Sequence, residues 1–283
     1  MTTELFAYHP ISDRPALHWP EGKRVAFYVG LNIEHFLDDR PSTSIWPSQL
    51  VPDALNYGWR DYGARVGIWR TIDILDRHGV RASALLNSMV TDANPQIVAA
   101  GVERNWAWLA HGATNSTLHT GLELEAERTR LTEIVDTIES ATGTRPRGWM
   151  GPGLTETANT PRLLAELGLS YLLDWTNDDQ PYRLTVPGML SVPYSVELND
   201  LILFQRGLTG PDFLQMVQDQ YQVLRDDAAN GGRVMALALH PFVIGQPFRA
   251  KYLDLALEYL VAQPDIWITT SDDIAEHFQR TAG

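Results

Sequence analysis

The apolar positions of this chain collect into seven short runs, each followed by polar residues, Gly or Pro. The first, residues 24–31 (RVAFYVGL), is continuous rather than alternating, as expected of a strand buried on both faces. It ends at Asn32-Ile33-Glu34-His35. Comparable runs lie at 80–86, 105–110, 147–150, 169–174, 233–239 and 266–269. Between them the period changes to that of an amphipathic helix, as in Val66, Trp69, Ile72 and Leu75, in Leu131, Ile134, Val135 and Ile138, and in Phe213, Val217, Tyr221 and Leu224. Asn94-Pro95 and Thr160-Pro161 open helices, and Gly79, Gly143 and Gly168 close them. Further helices are expected at 123–142, 211–229, 252–261 and from about residue 271. Residues 1–23, with Pro10, Pro15 and Pro20, read as an irregular lead-in, and residues 24–283 as one domain. A long loop carrying Pro41, Pro47 and Pro52 follows the first strand.

Strands alternating with helices predict a parallel sheet covered by helices. Polar residues gather where the strands end: Asn32 and Glu34, Asn87, His111 and Asn115, Asp174, and His240. That pattern favours an α/β fold of the distorted (β/α)7 barrel type, with its chemistry on the C-terminal rim. The open doubly wound sheet is the competing architecture, but neither a G-x-G-x-x-G nor a P-loop sequence occurs.

Composition narrows the chemistry. The chain has no cysteine, which excludes disulfides, thiolate-held zinc and a cysteine nucleophile. Its formal charge is −13 with no basic cluster, so nucleic acid and anionic membranes are not expected partners. No basic-then-apolar leader opens the sequence and no run reaches membrane-spanning length, so the cytoplasm is the expected compartment. No G-x-S-x-G elbow is present either.

His111 ends an apolar run and precedes Gly112, an arrangement that fixes an imidazole on a rigid strand beside a loop. A lone histidine there also serves as a hydrogen-bonded core residue, and only its company argues for function. Glu34 suits a general base or a group that orients one, and otherwise a solvated strand end. His240, before Pro241, suits a general acid on a leaving nitrogen. Asn115 follows His111 at i+4, a metal-ligand spacing, yet a neutral amide oxygen binds zinc weakly. Glu34, His111 and Asn115 would hold at most a weak divalent ion, and a polar pocket that hydrogen-bonds its substrate is the preferred reading. Asp178 and Asp179, in the loop Asn177-Asp178-Asp179-Gln180, suit recognition of amide or urea groups, or simply a solvated turn. Trp46, Trp59, Trp149 and Trp175 stand near loops or strand ends and suit pocket walls, with core packing as the alternative.

The stretches Asn32-Ile33-Glu34, His111 to Asn115 and Leu239-His240-Pro241 resemble, in order, the Asp-Asp, His-x-x-x-His and Leu-His elements of the polysaccharide deacetylase (NodB-homology) superfamily. The resemblance implies a seven-stranded distorted barrel in which a carboxylate and two histidines hold a metal, a second carboxylate is the base and the late histidine the acid. Here Asn32 stands at the base position, Asn115 at the second metal histidine and Met150 where arginine is usual. Residues 177–182, 147–149 and 240–247 look like the allantoinase and cyclic-imide-hydrolase branch, which opens small cyclic amides or ureides, its allantoinases without the usual metal site. The expected protein is a homo-oligomeric hydrolase of C–N bonds in a small cyclic amide, ureide or imide. Glu34, His111 and His240 would be catalytic, while Asn32, Asn115, Trp149, Asp178 and Asp179 would bind substrate, with no metal required. Metal-dependent N-deacetylation of an acetylated sugar is the first alternative, and an inactive ligand-binding member of the fold the second.

Overall fold

Continuous apolar runs can be buried on both faces only inside a helix-covered sheet, and that is where the computed structural model, describing residues 5–40 and 48–281, places them. The strands are β1 (Val25–Ile33), β2 (Ala82–Leu86), β3 (Ala107–Ala110), β4 (Gly148–Trp149), β5 (Tyr171–Leu172), β6 (Tyr182–Arg183), β7 (Leu190–Ser191), β8 (Arg233–Leu239) and β9 (Ile266–Ile268). They form one curled sheet in the order β6-β7-β5-β4-β3-β2-β1-β8. Every pairing is parallel except β6 with β7. On one edge of β1, β9 pairs with residues 25–27 and β2 with residues 29–33, while β8 takes the other edge. This shared edge distorts the barrel.

The seven expected strands are all present. The two-residue strands β6 and β7 were not anticipated, since two residues carry no periodicity. The long loop after β1 is also shorter than expected. Asp53 accepts a hydrogen bond from the Asn56 backbone and starts a helix at Ala54–Tyr62, which runs through a π turn at Gly63–Gly67 into Ile68–Arg77. Trp46, one of the expected pocket walls, lies outside the described residues. Among the described residues no helix is long and apolar enough to cross a membrane.

Among the described residues β8 pairs with no strand on its outer edge, so the sheet they form is not closed. Edge backbone groups need partners. Gly232 N–H finds the carbonyl of Leu17, Val234 N–H that of Asp179 and Ala238 N–H that of Leu198. The irregular lead-in therefore helps seal the barrel. Trp19, nearly buried, adds an indole hydrogen bond to the Arg233 carbonyl.

Side-chain alternation decides what faces the barrel interior. On β1, Val25, Phe27, Val29, Leu31 and Ile33 pack in the large core beneath the helices. Ala26 and Tyr28 belong to the inner cluster with Leu85, Leu109, Tyr194 and Ala238. Extending each inner row by one or two strand positions reaches Asn32, Glu34, Asn87, His111 and His240. The inner row needs Gly30 as well, since a Cβ there would lie 2.7 Å from the Tyr194 ring. Tyr194 crosses the barrel to accept a hydrogen bond from Asn32 at 2.9 Å. Gly30→Ala should therefore displace that ring and cost about 1–3 kcal/mol, measured as a lower urea midpoint with an unchanged slope.

Candidate active site

One carboxylate oxygen organises the rim. Glu34 Oε1 lies 3.6 Å from His111 Nε2 and 3.7 Å from His240 Nε2, and its side chain is 7% exposed. Asn115 Nδ2 donates to the same oxygen. Sequence positions 34, 111, 115 and 240 thus meet at one point.

The orientation of Asn115 follows from two backbone groups. His35 N–H can only donate, and it donates to Asn87 Oδ1 at 2.8 Å. Asn87 Nδ2 is then directed at the His111 carbonyl and, at 2.9 Å, at Asn115 Oδ1. With its oxygen occupied, Asn115 presents N–H groups to Glu34. It is a donor at this site, not a ligand. Among the described residues no group of three His, Cys, Asp or Glu is arranged to hold a metal ion. The metal that the family resemblance implies does not fit these residues: Glu34 and His111 remain of the expected set, and the third position points hydrogens at the carboxylate.

Each histidine is fixed through its other nitrogen. His111 Nδ1 donates to the Met150 carbonyl at 2.7 Å, which leaves Nε2, buried and without a hydrogen bond, toward Glu34. Asp174 supports this arrangement by accepting from Gly151 N–H at 2.8 Å, next to Met150. His240 Nδ1 donates to Asp200 Oδ1 at 2.7 Å. The fully buried Asp200 also accepts from the backbone N–H groups of His240 and Ile244, at 2.9 and 3.1 Å. Sequence reasoning missed Asp200. Asn199-Asp200 before Leu-Ile-Leu-Phe marks a capped helix, seen here as Asp200–Gln205, but nothing in the sequence ties it to His240.

These contacts set the charges. Burial disfavours ionised Glu34, but His240, followed by His111 and Arg60, outweighs it and holds the carboxyl below the ordinary glutamate range. Burial also disfavours a charged His240, yet Asp200 and then Glu34 prevail and raise its pKa above that of a free histidine. Each group thus favours the charge of the other, Glu34 toward the carboxylate and His240 toward the imidazolium. Arg60, a second residue missed in the sequence, lies in the unanticipated helix with its guanidinium over the Phe36 ring, 3.9 Å from the centroid. It lines a small pocket with Asn32, Glu34 and Phe242. Trp59 packs on Phe242, which in turn stands edge-on to His240, so Trp59 supports the pocket wall from behind.

Three expected substrate contacts are not brought to this pocket. Trp149 is wholly buried on the helix-facing side, edge-on to His119 at 5.2 Å, because its position on β4 is in the outer row. Asp178 forms an ion pair with Arg14 of the lead-in, and the Asp179 carbonyl accepts from Val234 N–H. Val234 is six residues before His240, about 20 Å along the strand. Asp178 and Asp179 instead line a large cleft, about 1720 Å³, at the open seam of the sheet. Convergent, mutually perturbed groups rather than cavity size mark the rim cluster around Glu34 as the candidate site. Trp175 is likewise engaged elsewhere, donating to Glu156 at 3.0 Å and packing on Phe6.

Since the Asp200 charge supports the His240 proton, Asp200→Asn should lower the His240 pKa. Histidine ¹⁵N NMR titration checks this, the imidazolium signal being lost at lower pH than in the wild type.

A polysaccharide deacetylase family profile matches residues 59–172. A Schizosaccharomyces pombe protein assigned to the polysaccharide deacetylases is 25% identical over 277 residues, covering 90% of this chain and 85% of the relative. A Pseudomonas aeruginosa PAO1 structure assigned as a polysaccharide deacetylase superposes with a TM-score of 0.85 at 26% identity, covering 95% of each chain. The structure of PuuE allantoinase superposes with a TM-score of 0.86, again at 26% identity and 95% coverage of each chain. With the barrel, the inner-face site and the order of its strand-end residues, these matches show a chain similar in sequence and fold to polysaccharide deacetylases and to PuuE allantoinase.

Proposed function

We propose that this protein hydrolyses a C–N bond in a small cyclic amide, ureide or imide. The observation that carries the reading is the buried Glu34 carboxyl 3.7 Å from His240 Nε2, with an Asn115 that donates to it instead of coordinating. PuuE allantoinase, named for a ring-opening activity, is among the near structural neighbours.

The proposed steps follow from the charges. Glu34, ionised at neutral pH, takes a proton from water as the water oxygen adds to the ring carbonyl. The Asn115 N–H donated to Oε1 holds the carboxylate in place. The tetrahedral intermediate bears negative charge on the former carbonyl oxygen, for which Arg60 is the nearby cation. The C–N bond then breaks with its electron pair going to nitrogen, and His240 Nε2–H supplies that nitrogen's proton. The product is an open-chain acid. Glu34 now carries a proton and His240 lacks one, and their 3.7 Å separation lets a single transfer, directly or through one water, restore the resting pair.

Deacetylation of an N-acetyl sugar is the second reading, favoured by the description of the matching profile and of the yeast relative. The family's route to it depends on a metal that Asn115 does not support. Chelator-treated protein should open one or more of allantoin, succinimide, hydantoin and dihydrouracil; acetate release from chitooligosaccharides only after zinc addition would favour the second reading. His240→Ala should lower ring opening by about 10²–10⁴-fold while circular dichroism stays unchanged. Full activity in that variant would remove His240 from the mechanism.

A further inference from the structure

We propose that Asn32 Oδ1 accepts the N–H of the departing ring nitrogen, so that the site selects substrates whose scissile amide nitrogen is unsubstituted; this rests on the ring-hydrolase reading above. Asn32 is 1% exposed and lines the same pocket as Glu34 and Arg60. Its orientation is set by chemistry. The Leu239 carbonyl can only accept, and Asn32 Nδ2 donates to it at 3.1 Å and to the Tyr194 hydroxyl at 2.9 Å. Both amide hydrogens are thereby used. Oδ1 remains buried with no hydrogen-bond partner.

A buried acceptor left without a donor is costly, which makes it a binding feature when a ligand can supply the hydrogen. The sheet puts this acceptor beside the acid. The β1–β8 register pairs Leu31 with Leu239, so the next positions on the inner row are Asn32 and His240, on strands about 4.8 Å apart. A nitrogen between them can give its hydrogen to Asn32 while turning its lone pair toward His240 Nε2. As the carbonyl carbon becomes tetrahedral, that lone pair is released from amide conjugation. The proton from His240 then arrives on the face opposite the N–H already held, and the C–N electron pair leaves with nitrogen. An ester oxygen or an N-alkyl imide has no hydrogen to give and would set a lone pair or a methyl group against Oδ1.

The test compares succinimide with N-methylsuccinimide at pH 7, each rate divided by its uncatalysed hydrolysis. The wild type is expected to prefer succinimide by about 100-fold or more in kcat/KM. In Asn32→Leu, of similar size but without an acceptor, the preference should fall to within about threefold, and Asn32→Ala should behave alike. A preference that persists unchanged in Asn32→Leu means that pocket size selects the substrate, and overturns the proposal. Should neither variant fold by circular dichroism, the wild-type comparison decides: near-equal rates overturn the proposal and a large preference supports it. If the wild type opens none of the cyclic amides, the ring-hydrolase reading has failed and this proposal falls with it. Ring opening without N–H discrimination, in contrast, overturns the role of Asn32 alone.

Discussion

A carboxylate taken out of water must be compensated, and the rim of this barrel is built around meeting that demand for Glu34. Two imidazoles and an amide converge on its Oε1, and a guanidinium stands in the same pocket. Each compensating group is itself held from behind: His111 by a backbone carbonyl, His240 by Asp200, and Asn115 by Asn87, which is aligned by the backbone of residues 35 and 111. The result is a preorganised site in which the base is biased toward the anion and the acid toward the imidazolium. The same chain of hydrogen bonds explains why the third metal position of the resembled family cannot serve here. Once Asn87 takes the Asn115 oxygen, the amide hydrogens have only Glu34 to face.

The barrel and the meeting of its strand ends were legible in the sequence because two simple periods carry them. Continuous apolar runs marked the seven main strands, and side-chain alternation then put Asn32, Glu34, Asn87, His111 and His240 on one inner face. The same rule, applied to Trp149, would have sent it outward: Met150, its neighbour, belongs to the inner cluster. Asp178 and Asp179 misled for a different reason. They follow β5 in sequence, but the chain doubles back toward the start of β8, where Arg14 and Val234 claim them.

Asp200 and Arg60 were not legible because their roles depend on tertiary approach rather than local pattern. Asp200 sits on a helix of six residues whose only local signal is its cap. Arg60 reaches the pocket because the π turn after its helix lies tight against the His240 turn. There a Cβ on Gly67 would meet the Pro241 carbonyl oxygen at 2.0 Å, so only glycine permits the crossing. Close backbone packing of this kind leaves no period in the sequence, although it decides which cation the site contains.

The most direct test of this account is the pH dependence of kcat/KM for ring opening by metal-free protein. The expected profile is a bell: its acid limb reports Glu34 and falls below the ordinary glutamate value, and its alkaline limb reports His240 and lies above the ordinary histidine value. Asp200→Asn should move only the alkaline limb, toward lower pH. A rate that keeps rising with pH beyond the histidine range, or that appears only when a divalent metal is restored, would contradict a carboxylate–imidazolium mechanism.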